Sequence, residues 1–237
     1  MKRFEKPQKF LEKLVMNKTV VITGTTTGVG ATLAHHFLEK GWNVIGLARS
    51  ESNFNYRNYR HFQVDISASN DLESVFSQID NIDLLINNAA VFKMKSFTDT
   101  SVSEIDSMID INLKGSMYVT KFALEKMKRD SRIVFINSVA GLEELKNQSA
   151  YCSSKHGLTA FAGVLGEELR ERGIKVTSIH PGGINTPLWN NNNPYPCGDV
   201  NKAISPLEFI KLIDFLCDNK FNVEYKTIKL FPTTEWH

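Results

Sequence analysis

Seven short apolar runs recur between residues 18 and 231, with helical runs between most of them. The strand-like runs are 18–24, 43–48, 60–65, 82–90, 132–138, 174–182 and 225–231. Apolar residues at helical spacing mark 30–41, 69–79, 101–128, 149–173 and 205–219. Several of the strands are apolar on both faces, as strands covered by helices on both sides of a parallel sheet must be. The pattern predicts an α/β fold: a doubly wound, mostly parallel seven-stranded sheet with ligands beyond the carboxyl ends of its strands. A chain of 237 residues with 42% hydrophobic content suits one such domain over 18–237, preceded by an extension over 1–17.

Charge and cysteine usage exclude other classes. The formal charge is +2, with acids and bases interspersed, so no nucleic-acid partner is expected. No run of 18 apolar residues occurs and the N-terminus lacks a signal-type apolar segment, so no membrane association is expected. Cys152, Cys197 and Cys217 stand far apart. They form neither a disulfide framework nor a zinc spacing, which fits a reducing cytoplasm. His35 and His36 are the only adjacent histidines. On a helix they point about 100° apart, so no metal site is expected.

Residues 19–41, TVVITGTTTGVGATLAHHFLEKG, place Gly24, Gly28 and Gly30 where the first strand hands over to a helix. A dinucleotide pyrophosphate needs such a place, because side chains would block the close approach of backbone N–H groups at a helix N-terminus. The spacing is G-x-x-x-G-x-G and no lysine follows, so this is not a nucleoside-triphosphate loop. A glycine-rich turn alone would give the same residues.

Tyr151 and Lys155 are one helical turn apart and so share a face. Ser138 ends the fifth strand, at the edge where ligands bind. Tyrosine as acid/base, serine orienting an oxygen and lysine tuning the phenol can together run hydride chemistry on an alcohol or carbonyl. Bringing a phenol from near 10 toward neutral pH requires about 4 kcal/mol. One ammonium at about 4 Å supplies about that much at an effective dielectric of 20.

With these residues in view, the chain resembles the short-chain dehydrogenases/reductases, in their shorter single-domain branch, a Rossmann-like architecture. The likeness runs from about 18 to 188. It rests on TGTTTGVG (23–30), Asp65, NNAA (87–90), Asn112 in INLKG, Ser138, YCSSK (151–155) and PGGINT (181–186). The resemblance implies that Tyr151 donates and accepts the proton, Ser138 holds the substrate oxygen, Lys155 binds the ribose and tunes Tyr151, and Asn112 holds a relay water. It implies a cofactor site of Gly24, Thr26, Thr27, Gly28, Val29 and Gly30 at the pyrophosphate, with Asp65 and Ile66 at the adenine. Asn88 and Ala89 would line the ribose, and Ile184 and Thr186 would hold the nicotinamide carboxamide; Pro181 and Gly182 would join the cofactor site or form only a strand-ending turn. Asn87 would brace the sheet. Ala90 stands where the family usually has glycine, and TIKLFPTTEW replaces the family's glycine-rich ending.

The second strand ends in Ala48, where an NAD enzyme carries an acid, followed by Arg49 and Ser50. A guanidinium there suits a 2′-phosphate, so NADP(H) is expected, with NAD(H) possible as Glu51 follows and Thr27 adds no second cation. Residues 187–204 would form the substrate lid. Phe92, Leu142, Leu188, Trp189 and Tyr195 are candidate substrate contacts, with Met94 and Leu145 beside them, and the asparagines at 190–193 either hydrogen-bond the substrate or simply form a loop. The resemblance implies a homodimer or homotetramer paired through 101–128 and 151–173. Two other readings stay open: a non-catalytic dinucleotide sensor, and an epimerase or dehydratase.

Overall fold

The computed structural model describes residues 18–218 and 223–233, so the expected extension over 1–17 lies outside the described residues. The chain forms β1 (Thr19–Thr23), α1 (Gly28–Glu39), β2 (Asn43–Ala48), β3 (Tyr59–Gln63), α2 (Ser69–Ser77) and β4 (Ile82–Asn87). It continues through α3 (Val102–Ile109), α4 (Ser116–Ala123), β5 (Met127–Ile136), α5 (Ser149–Glu168), β6 (Lys175–Pro181), α6 (Pro206–Asp218) and β7 (Thr227–Leu230). The seven strands lie in the order β3-β2-β1-β4-β5-β6-β7. Every neighbouring pair is parallel, so the sheet is wholly rather than mostly parallel. The strand order reverses at β1 and β4, which opens a crevice at their carboxyl ends.

Period-two alternation splits the strands between two cores. Val21, Leu85, Ile133 and Phe135 face α2, α4 and α5, where Leu72, Val119 and Leu158 meet them. Val20, Ile22 and Val134 face α1 and α6, where Leu33, Phe37, Phe209 and Ile213 meet them. The central strands are therefore covered on both faces, which leaves their carboxyl ends to a ligand.

Several expected boundaries differ. The helix expected over 101–128 stops at Ala123 and is interrupted by a wide π-helical turn over Asp110–Gly115. Met127 belongs to β5, opposite Ile82, and the register then shifts before Leu84 meets Arg132. Ser131 Oγ fills the irregularity by donating to the Ile82 carbonyl at 2.9 Å. Helix α1 opens at Gly28, ahead of the expected Gly30. Helix α5 ends at Glu168 rather than 173, and Gly173 turns the chain with φ +68. Among the described residues no helix is long and apolar enough to cross a membrane.

Candidate active site

The loop from β1 to α1 needs its glycines for packing as well as approach. Gly24 holds φ +74 and donates its N–H to the Leu47 carbonyl at 2.7 Å. A Cβ on Gly30 would lie 2.2 Å from the Gly24 carbonyl oxygen, so Gly30 lies behind the loop. Gly24, Thr26, Thr27, Gly28 and Val29 line the cleft; Gly30, expected there, does not. Thr27 caps α1 in an extended conformation without a side-chain hydrogen bond. The first-turn N–H groups thus lack a side-chain cap and stand at the cleft, as a pyrophosphate requires.

Arg49, Ser50, Asp65, Ile66, Asn88 and Ala89 line the cleft beyond this loop. The strand ends are tied down: Gln63 Nε2 donates to the Arg49 carbonyl and His61 Nε2 to the Ser50 carbonyl, both at 2.9 Å. Asp65 Oδ1 accepts from the Ser67 amide at 2.9 Å and its hydroxyl at 2.7 Å, so this carboxylate also caps a turn. Asn88 Nδ2 donates to the carbonyls of Thr23 and Gly24 at 2.9 and 3.2 Å, bracing the glycine loop. The loop after β6 crosses from the far side, where Ile184 and Thr186 line the cleft. A Cβ on Gly28 would come 3.2 Å from Thr186 Cγ2. Pro181 and Gly182, the other residues expected in the cofactor site, close β6 as a strand-ending turn, where the Gly182 N–H donates to the Leu230 carbonyl at 2.8 Å.

At the other end α5 presents Tyr151 and Lys155 on one face of its first turns, and both line the cleft. Burial pushes the Tyr151 phenol up to about 12, against a hydrogen bond with Ser138 that lowers it. Burial also brings the Lys155 ammonium down to about 8. That ammonium lies 5.6 Å from the Tyr151 ring centre and donates to the Ile136 carbonyl at 3.3 Å. Burial of the phenol is thus the dominant cause, and the acidifying effect expected of Lys155 is not among the causes that act on it. Ser138 Oγ, besides meeting Tyr151, accepts from the Ala140 amide at 3.1 Å.

Asn112 sits in the wide turn between α3 and α4 and is 1% exposed. Its side chain accepts from the Val91 amide at 2.8 Å and donates to the Val91 carbonyl at 2.9 Å and to Ser154 Oγ at 3.1 Å. The side chain expected beside a relay water therefore clamps the cleft wall. Asn87 Nδ2 donates to Thr120 Oγ1 at 3.0 Å, tying β4 to α4.

A short chain dehydrogenase family model matches residues 18–196. The chain belongs to that family, a family of oxidoreductases. This short chain dehydrogenase is 29% identical over 232 residues to an uncharacterized oxidoreductase of Staphylococcus aureus strain MRSA252, covering 92% of this chain and 99% of the relative. A serine dehydrogenase solved in its closed form with NADP+ is 25% identical with a TM-score of 0.83, covering 92% and 96% of the two chains. A 4-hydroxyisoleucine dehydrogenase solved with NADH is also 25% identical, with a TM-score of 0.76 over 90% and 96%.

On the substrate side of the dehydrogenase cleft, Leu188 reaches the lining. Phe92 packs edge-on against Tyr151 with ring centres 4.7 Å apart, and Trp189 packs on Phe92 at 5.3 Å. Tyr195 packs on Trp189 at 5.2 Å. Met94 and Leu145 pack against the same cluster. Leu142, expected in this wall, is turned outward and 38% exposed. Three residues escaped the sequence reading. Asn137, at the end of β5, lines the cleft and donates to the Lys155 carbonyl at 3.3 Å and to Thr159 Oγ1 at 2.9 Å. His180, at the end of β6, meets the Ser138 carbonyl through Nδ1 at 3.0 Å. Asn193 bonds the strand-end loop at Phe92 and Met94. The signal for Asn137 and His180 was a polar residue ending an apolar run. Among the described residues no group of histidine, cysteine and carboxylate side chains is placed to hold a metal ion.

Proposed function

We propose that this chain is an NADP(H)-dependent oxidoreductase that transfers a hydride between nicotinamide and a small-molecule carbonyl or alcohol, with Tyr151 as general acid/base. The observation that carries the reading is the convergence of Tyr151, Ser138 and Lys155 at one end of a cleft whose other end is the glycine loop. The nicotinamide would supply or take the hydride at the carbonyl carbon. At neutral pH the buried phenol keeps its proton, ready for a carbonyl oxygen. The Ser138 hydroxyl orients that oxygen, and the Lys155 ammonium, held by the Ile136 carbonyl, supports the phenolate left behind.

Arg49 and Ser50 at the cleft, with Ala48 in place of an acid at the end of β2, support NADP(H). The serine dehydrogenase bound to NADP+ supports the same choice, and the 4-hydroxyisoleucine dehydrogenase bound to NADH keeps NAD(H) as the alternative. A homodimer or homotetramer in the cytoplasm completes the proposal. The outward face of α5 supports it, with Gly163 and Val164 open to solvent and Val164 58% exposed. Turnover of a carbonyl panel, followed at the NADPH absorbance, tests the function. Tyr151→Phe should lower kcat by about 10²–10⁴-fold with NADPH still bound. A non-catalytic sensor would bind NADPH equally in both proteins and turn over nothing.

A further inference from the structure

We infer that the substrate is an uncharged carbonyl compound with an apolar or aromatic body, seated against Tyr151 and Leu188, with an aromatic wall behind them that Asn193 holds in place. This rests on Tyr151 acting at a carbonyl oxygen. The wall is continuous: Phe92, 4% exposed, stands edge-on to Tyr151, and Trp189 stands edge-on to Phe92. Neither Phe92 nor Trp189 lines the cleft itself; the apolar surface offered to a substrate comes from lining residues such as Val91, Pro187 and Leu188.

The two halves of the wall come from distant segments, and one side chain joins them. Asn193, 6% exposed, accepts from the Met94 amide at 3.2 Å and donates to the Phe92 carbonyl at 3.4 Å. Its turn is closed by reciprocal backbone bonds with Asn190, both at 3.0 Å. A solvated loop asparagine has no need of buried partners. One whose amide bonds to backbone 99 and 101 positions away fixes where Trp189 rests. Asn193 is therefore a positioning residue.

Charge selects among substrates. The charged residues lining the cleft, among the described residues, are Arg49 and Asp65 at the adenosine end and Lys155 beside Tyr151. The Lys155 ammonium is 2% exposed and turned to the Ile136 carbonyl. A carboxylate beside the reacting carbonyl would lose its water against Leu188 and the other apolar lining without gaining a counter-ion. A neutral apolar body gains from the same contact.

Ethyl benzoylformate and benzoylformate carry the same ring and ketone, without and with a carboxylate. In either reduction NADPH is oxidised to NADP+, the hydride goes to the ketone carbon and the Tyr151 proton to its oxygen. The ester should show kcat/KM at least ~100-fold above the acid. Asn193→Ala should raise the ester KM about tenfold, more than it lowers kcat, with the KM for NADPH unmoved. Asn193→Asp, which keeps the acceptor for the Met94 amide, should recover part of that loss. Equal or better turnover of the acid, or an unmoved ester KM in Asn193→Ala, overturns the inference and leaves the role of Tyr151 standing. No reduction of either ketone by NADPH-bound wild type overturns the role of Tyr151 and the inference with it.

Discussion

The Lys155 Nζ lies 5.6 Å from the centre of the Tyr151 ring, and the two side chains are 2% and 7% exposed. Their placement one helical turn apart joins two groups that burial drives in opposite directions. The phenol is held protonated and the ammonium is made easier to deprotonate. The pair is thus poised around one proton at the edge of the sheet.

A dependence of stability on pH follows. The Lys155 amine falls from 10.5 to about 8 in the folded chain. Between those values the unfolded chain binds the extra proton, so stability rises as pH increases through this window. The Tyr151 phenol rises from 10.0 to about 12. Between those values the folded chain binds the extra proton, so stability falls as pH increases. Urea unfolding of wild type and Lys155→Met should diverge from pH 8 to 10.5, the wild type alone gaining roughly 3 kcal/mol. Tyr151→Phe should remove the decline above pH 10. Parallel profiles would show that neither group is desolvated as described.

Arg49 is predicted to choose the cofactor. Its backbone is anchored by Gln63, so the strand end stays in place when the side chain is cut back. Arg49→Ala should raise the KM for NADPH about 10–100-fold, the worth of a charge-assisted hydrogen bond, and leave that for NADH within about threefold. Initial rates with both cofactors decide it. Equal use of NADH by the wild type, unchanged in the variant, would rule the assignment out.

Much of this site is legible from residue types because its spacing is local. Tyr151 and Lys155 share a helix face by the geometry of one turn, and Gly24 and Gly28 mark a strand-to-helix junction. What escapes is set by contacts between distant segments. Asn193 reads as loop because its partner Phe92 is 101 positions away. Met127 reads as helix because Phe122 and Met127 prolong the apolar pattern, while its place opposite Ile82 depends on a strand 45 positions earlier. Gly30 reads as a cofactor residue on motif alone, and only the packing shows its Cβ position filled by the Gly24 carbonyl.

Gly30→Ala tests that packing. The added methyl would meet backbone oxygen at 2.2 Å, which no rotamer change relieves. The loop must shift, and a shift at Gly24 moves the phosphate seat. The expected cost is about 1–3 kcal/mol of stability with at least ~10-fold weaker NADPH binding, read by thermal unfolding and by fluorescence titration. Gly166→Ala is the control, since its Cβ position meets only Val176 Cβ, at an ordinary 3.6 Å.

His180 is predicted to set the acid limit of the folded state. Its ring is fully buried, with Nδ1 donating to the Ser138 carbonyl at 3.0 Å and Nε2 without a partner among the described residues. Burial lowers its pKa below 6.5, against the Ser138 bond that raises it, and the nearby charges of Lys155, Lys229 and His156 lower it further. As pH drops below 6.5 the unfolded chain binds a proton here that the folded chain refuses, so stability falls, with a slope approaching about 1.4 kcal/mol per pH unit. His180→Asn keeps an N–H for the Ser138 carbonyl and cannot titrate. It should flatten the urea-unfolding profile from pH 7 to 5 while holding kcat near wild type. His180→Leu should flatten the same profile but lower kcat, because the strand end carrying Ser138 loses its tether. An unchanged acid slope in both variants would move the limit to another group.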